Sequence, residues 1–422
     1  MTNFSLPYGE TQLSFQIPST IKVDFLTPAA SEPISHPLEA IYTALLNPVA
    51  CKKLEFYKDA TSIGIAINDK TRPVPQPNPL YPLLDHLDAL GVDREKISLF
   101  VGSGTHTPMT ASELPRIVDE AVIQNYRIVV HDCDQSPMVD LGQTAFQTPI
   151  QINADFYSCD VKISVGNIEP HHFMGFSGGV KTAVIGLASR ETINLNHAML
   201  SHQQAKSGTY HLNPMRQDIE EMGRKAGIYY SLGTVLDEDK RIIQIFFGNP
   251  ATVMKKAIPF IRQTFGVSVP SQYDLVIASP GGAPKDINLY QAEKGLTHAA
   301  RITRNGGWVI LLAACPEGSG SRSYEKFVKS MKSHQAIIKQ FRGGFFEVGP
   351  HKAFQIAREA VRVNTILVSE IPPATVKQWK LTPSTPQLLQ SLINWLIEQL
   401  PPNPRVALLP ASTRTMTEVK QL

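Results

Sequence analysis

The sequence predicts an α/β fold in two domains, on three observations. Apolar runs of strand length recur along the chain, most are nearly continuous instead of alternating, and helix-like stretches fall between them. Continuous apolar runs belong to strands covered on both faces, which are the parallel strands of α/β proteins. The interleaving of the two element types then sets the class. A chain of 422 residues exceeds the usual domain of ~100–200 residues, so two domains are expected.

Taken in order, the strands are expected at 62–67 (SIGIAI), 97–101, 128–130, 161–165, 275–278, 308–314, 366–368 and 406–409. Helices are expected at 111–124, 213–226, 290–302, 323–341 and 386–400. Proline clusters at 72–82 and 401–404 punctuate the chain, and no repeat or low-complexity tract interrupts it. A break at 265–272 (FGVSVPSQ), followed by a fresh strand-Gly-Gly-helix unit from Asp274, divides the chain. The expected division is an N-terminal α/β domain 1–268, a C-terminal α/β domain 269–405, and a tail 406–422 able to return to the first domain. Mainly parallel sheets with an active-site cleft between the two domains complete the picture.

Forty Lys+Arg against 37 Asp+Glu leave a formal charge of +3, and the sequence pI is near 8.5 without a basic run. That excludes nucleic acid and anionic membrane as expected partners and points to a small molecule. With 42% hydrophobic and 18% charged residues the chain is not disordered. The longest apolar run, at 308–315, is far short of the ~20 residues of a membrane-spanning helix. The amino terminus lacks a basic n-region, so a cytoplasmic protein is expected. Cys51, Cys133, Cys159 and Cys315 lie far apart without a CxxC, which reads as reduced structural thiols.

Four segments carry more functional side chains than folding requires. Asp69 and Arg72 stand in INDKTRP, a strand end running into a proline-rich loop, where an Arg can fork onto a carboxylate or phosphate; a solvated turn capped by Asp69 is the plain alternative. Gly102, Ser103, Gly104, Thr105 and His106 form a strand-end turn, GSGTH, whose backbone N–H groups can converge on an anion; it matches neither a Walker A loop nor GxGxxG. The third, VGNIEPHHFMGFSGGVKT, packs Glu169, His171, His172, Ser177 and Lys181 into a loop with Gly175, Gly178 and Gly179. A lysine so placed can neutralise a phosphate, form a Schiff base or carry a covalent cofactor. The fourth, RETINLNHAM, sets His197 on a helix that Thr192 or Asn194 could cap, with His202 following. Four of 12 histidines in one stretch suggest a metal, and the absence of HExxH disfavours a zinc peptidase. In the second half, SPGGAPKDINLYQAEK follows another strand, and on a helix Lys294 neighbours Tyr290 and Gln291.

Together these segments resemble the nickel-pincer lactate racemase family. The matching pieces are DKTRP at 69–73, GSGTH at 102–106, EPHHFMGFSGGVK at 169–181, TINLNH at 192–197 and LYQAEKG at 289–295, in family order and across both domains. The resemblance implies a nickel pincer nucleotide, a pyridinium-3,5-bisthiocarboxylic acid mononucleotide, joined to Lys181 as a covalent thioamide, with His197 as the protein ligand to nickel. It implies His106 and His171 as the acid–base pair, one for each face of the substrate. Arg72, Gln291 and Lys294 would hold the substrate carboxylate and oxygens, supported by Asp69 and Tyr290, and the 102–105 turn would hold the nucleotide phosphate. The implied activity is racemisation of a small 2-hydroxy acid by reversible hydride transfer, with cofactor-synthesis enzymes needed for maturation. Met174 and Ile185 stand where smaller residues and proline are common, so the 2-hydroxy acid class is expected more firmly than lactate itself. His202 and Glu169 are read as supporting residues. A pyridoxal-phosphate enzyme would use Lys181 but leave His106, His171 and His197 idle. A non-catalytic nucleotide- or metal-binding protein would not need two acid–base histidines, and a zinc hydrolase comes last.

Overall fold

The computed structural model describes residues 1–29 and 31–420. They form two units: a central one between residues 30 and 262, and a terminal one made of residues 1–29 with those from 263 onward. Both are α/β with mainly parallel sheets, as the sequence predicts.

The central unit is built on six strands in the order Ile242–Gly248, Tyr230–Leu236, Val161–Asn167, Ile63–Asn68, Ile97–Gly102, Arg127–Val130. All neighbours are parallel except the first pair. The Ile63 and Ile97 strands are buried along five of their six residues, so both faces are covered. On the Leu80–Ala89 helix, buried Leu80, Leu83, Leu84 and Leu87 repeat at helical spacing and join Ile65, Leu99 and Ile163 in the core. From the Ile63 strand the chain steps to one side, and the Val161 strand later returns on the other. The order therefore reverses between these two strands, and loops leaving their carboxyl ends diverge there. Those are the loops that carry the 69–73 and 169–181 motifs, with GSGTH leaving the adjacent Ile97 strand.

The terminal unit has six parallel strands in the order Thr382–Ser384, Asn364–Val368, Thr303–Leu312, Tyr273–Ala278, Val406–Leu409, Val23–Phe25. This corrects the expected division. Residues 1–29 belong here, not to an N-terminal domain, because the Thr2–Tyr8 and Thr11–Ile17 hairpin buries Leu6, Tyr8, Phe15 and Ile17 against Leu275, Ile277 and Ile310. The tail does not return to the first domain: Val406–Leu409 lies inside this sheet, and Met416–Val419 pairs with Gly266–Val269. Residues 421–422 of that expected tail lie outside the described residues.

Two expected helices are each broken in two. Pro115 stands inside the 3₁₀ turn Ala111–Arg116, and an α-helix resumes only at Glu120–Asn125, since proline removes a backbone donor and fixes φ. The 323–341 stretch is Arg322–Ser330 followed by His334–Arg342, because Ser333 caps the second helix through the Ala336 N–H. No helix among the described residues is long and apolar enough to cross a membrane, and all four cysteines are free thiols.

Candidate active site

The carboxyl end of the Ile63 strand delivers Asp69, which is buried, into a tight turn where it accepts from the Thr71 amide (3.1 Å) and hydroxyl (2.6 Å). The carboxyl end of the neighbouring Ile97 strand delivers His106, whose Nδ1 lies 2.8 Å from Asp69 Oδ2. Burial alone would push the Asp69 carboxyl up, but the hydrogen bonds from His106 and Thr71 outweigh it and hold the group below the usual carboxylate range. An ionised Asp69 can only accept, so His106 Nδ1 carries the proton and its neutral ring keeps a lone pair on Nε2. Arg72, partly exposed, stands 3.9 Å from Glu169 in the loop of the Val161 strand.

That loop turns back on itself as a hairpin pairing Pro170–His171 with Gly175–Phe176. Gly175 is fixed by crowding: at φ +80° a Cβ would lie 1.9 Å from the Thr209 carbonyl oxygen. The turn lets the Met174 N–H donate to His171 Nδ1 at 3.2 Å. In its neutral ring His171 therefore carries its proton on Nε2, the opposite of His106. The rings of His171 and His172 stack with centroids 4.7 Å apart, and Phe173 stands edge-on to His171 at 4.6 Å and to His197 at 5.4 Å. Phe173 thus packs between His171 and His197, a role the sequence reading missed; the one available signal was a large aromatic in an otherwise glycine-rich loop.

Lys181 opens the short helix Lys181–Val184, and His197 lies in the last turn of Arg190–Ala198. The cap of the latter helix is Ser189, whose hydroxyl accepts from the Thr192 N–H, and not Thr192 or Asn194 as expected from sequence. Burial, followed by the nearby Lys181 charge, pushes His197 down to about 3, against an opposing bond to the Ile193 carbonyl. His197 is thus a neutral imidazole, the form that binds metal. Among the described residues the one cluster of three potential metal ligands is Asp132, Cys133 and Asp134, where Arg190 forks onto Asp134 at 2.6 Å. A metal at His197 would therefore need most of its remaining donors from a non-protein group, and a lysine beside it offers a point of attachment for one. The residues present fit such a group.

The GSGTH turn has a packing reason for its glycines as well. A Cβ on Gly102 would lie 2.9 Å from the Thr182 carbonyl oxygen and 3.0 Å from Gly186 Cα, and the Gly104 N–H donates to the Gly186 carbonyl at 2.9 Å. Ser103 is buried within this turn and Thr105 is half-buried at its outer edge. The turn thereby joins the Ile97 strand to the segment just after Lys181. His202 Nδ1 accepts from the Gln204 N–H, a local turn contact.

In the terminal unit, Tyr290, Gln291 and Lys294 share the first turns of the Leu289–Arg301 helix, capped by Asn288. Lys294 Nζ donates to Gln291 Oε1 at 2.8 Å, as the expected spacing requires. The Tyr290 ring meets His351 edge-on at 5.8 Å and the Lys352 ammonium at 4.7 Å. The structure therefore brings the expected residues together in two groups, one in each unit.

Comparison with known proteins matches two family models, the first of which runs across the boundary at residues 29–30. Residues 8–208 match the lactate racemase N-terminal domain family, and residues 269–389 match the lactate racemase C-terminal domain family. A lactate racemase of Thermoanaerobacterium thermosaccharolyticum is 30% identical over 346 residues, 81% of each chain. One of Lactiplantibacillus plantarum is 35% identical over 291 residues, 68% of each. The structure superposes on the lactate racemase apoprotein of Thermoanaerobacterium thermosaccharolyticum with a TM-score of 0.89 and 26% identity over the whole of both chains. A Thermotoga maritima protein with 17% identity and a TM-score of 0.61, covering 93% of this chain and all of its own, shares the fold.

Proposed function

The chain belongs to the lactate racemase family and is an isomerase, and from that premise we propose that it racemises a small 2-hydroxy acid of the lactate kind, with His106 and His171 exchanging protons on the two sides of the substrate. The observation that carries this reading is the opposite setting of the two imidazoles. His106 donates through Nδ1 to Asp69, and His171 accepts through Nδ1 from Met174, so a lone pair stands on one Nε2 and a proton on the other. Racemisation of a carbinol needs two such groups on opposite sides of the substrate, one to take the hydroxyl proton and another to supply one, with the roles exchanged in the reverse direction.

The C2 hydrogen of a 2-hydroxy acid is too weakly acidic to leave as a proton. Lys181 would carry, and His197 ligate, a nickel pincer nucleotide, which when bound accepts that hydrogen with its electron pair and gives it back. The protein's own task is then proton transfer and orientation. As His106 Nε2 takes the hydroxyl proton, the ring becomes an imidazolium whose Nδ1–H already points at an ionised Asp69. The resulting 2-keto acid is planar at C2, and return of hydrogen to its other side inverts the centre. The proton comes from a His171 imidazolium, charged by solvent at Nδ1 in place of the 3.2 Å Met174 contact, while His106 gives its acquired proton to solvent. Arg72 is suited to the substrate carboxylate because its contact with Glu169 is long and solvent-screened, a weak pair that another carboxylate can displace. Gln291 and Lys294, already joined side chain to side chain, offer an amide and an ammonium to substrate oxygens. We place the reaction in the cytoplasm, with cofactor-synthesis enzymes as maturation partners.

The test is peptide mass and nickel content of chain co-produced with those enzymes, followed by chiral assay on a panel of 2-hydroxy acids. An adduct on Lys181 with stoichiometric nickel and interconversion of enantiomers is the expected result. A bare Lys181 without nickel, in cells that load a lactate racemase, overturns the proposal.

A further inference from the structure

The Pro214–Lys225 helix buries an arginine and two carboxylates. Arg216 and Asp218 are fully buried and Glu220 nearly so. The guanidinium donates from Nε and Nη2 to Glu220 Oε1 at 2.8 and 2.5 Å. Glu220 is also held by the Tyr210 hydroxyl at 2.8 Å, and Tyr210 stacks its ring 5.2 Å from the guanidinium carbon. With that end fixed, the remaining fork reaches the carbonyls of Phe176 (3.0 Å) and Gly178 (3.1 Å). Asn213, the N-cap of the same helix, donates to the Phe173 carbonyl at 2.8 Å. One helix end thus holds three carbonyls of the loop that runs from His171 to Lys181.

Another face of the same turns meets the helix that carries the other candidate ligand. Asp218 Oδ2 accepts from Asn196 Nδ2 at 2.8 Å, the residue before His197, while Oδ1 accepts from the Thr144 hydroxyl at 2.5 Å. Asn196 also donates to the Met215 carbonyl at 3.0 Å. A buried ion pair is weak evidence of stability, because desolvation offsets the attraction, so the arrangement asks for another reason. We propose that Arg216 and Asp218 are positioning residues, which fix the Lys181 loop and the His197 helix in one register on a single rigid helix. The inference rests on the reading of Lys181 and His197 given above. A loop dense in glycine has little stiffness of its own, and only a planar fork with several donors can hold two carbonyls and a carboxylate together.

The experiment compares R216K, E220Q and D218N with the wild-type chain by hydrogen–deuterium exchange and by racemisation kinetics of the holoenzyme. For R216K we expect amides 175–181 to exchange at least about tenfold faster while the Ile63 and Ile97 strands are unchanged. The kcat should fall at least about tenfold, with KM within about twofold. E220Q, which leaves Arg216 in place but loosens its anchor, should give the same pattern more weakly and decides the matter if R216K does not fold. D218N should speed exchange across 190–198 instead. Unchanged exchange at 175–181, or an increase spread evenly over the central unit, overturns the proposal. If the wild-type chain racemises no 2-hydroxy acid, the functional reading fails, and the exchange data alone still decide whether the helix is a clamp.

Discussion

At Asp69 two effects oppose each other, and their balance sets how His106 can work. Burial disfavours the carboxylate, whereas Thr71 and His106 donate to it, and the donors win. Asn in this position keeps the shape and one acceptor oxygen but loses the charge that stabilises the imidazolium. D69N should therefore lower kcat by about 10²-fold or more, the usual contribution of a positioned acid–base pair, while KM changes little. Chiral assay of the loaded variant checks it, and a kcat equal to wild type would reduce Asp69 to a turn former. Arg72 makes the complementary case. Its pairing with Glu169 is partly exposed and long, so E169Q should leave KM within about twofold; R72K, which replaces a planar fork by a point charge, should raise KM about tenfold or more. Equal KM values for R72K and wild type would place the carboxylate elsewhere.

The elements that were legible in the sequence are those whose pattern has a local cause. The runs at 62–67 and 97–101 are continuous because both faces of those strands are covered, and the 69–73, 102–106 and 169–181 motifs lie where those strands and their neighbour end. What escaped depends on contacts distant in the chain. Leu6 and Ile17 look like any alternating hairpin until Leu275 and Ile310 cover them. Arg216 reads as one charge on an amphipathic helix until Phe176 and Gly178, about 40 residues earlier, meet it. Gly186 is another case: besides the Thr182 carbonyl oxygen four residues earlier, 2.2 Å from a Cβ placed there, Gly102 Cα, distant in the chain, would stand 2.8 Å from it. G186A should thus force apart the GSGTH turn and the segment after Lys181, at about 3 kcal/mol or more, since backbone cannot yield as a side-chain tip does. G227A is the control, with φ +67° but open space around it, and should lose only the ~1–2 kcal/mol of a left-handed residue. Denaturant midpoints of the two variants check the ordering.

Over the whole molecule, each unit contains a buried histidine held neutral. In the central unit His131 lies between the Ala188 carbonyl (3.0 Å) and the Asn153 amide (3.3 Å), and burial pushes it down. In the terminal unit burial, then the Arg301 charge, pushes His298 down to about 4, although Nδ1 donates to the Ser412 carbonyl at 2.7 Å. A histidine whose folded value is depressed binds fewer protons folded than unfolded, so stability is complete above the unfolded value near 6.5 and declines as pH falls toward the folded one. For His298 the linkage amounts to about 2 kcal/mol lost by pH 5. The three tryptophans, Trp308, Trp379 and Trp395, all lie in the terminal unit, so their fluorescence reports that unit alone. Urea midpoints followed in this way should fall between pH 7 and pH 5. In H298Q, which retains a donor for Ser412, the midpoint should depend less on pH whatever its value at pH 7. A slope as steep in H298Q as in wild type would move the acid sensitivity to other groups, the carboxylates first among them.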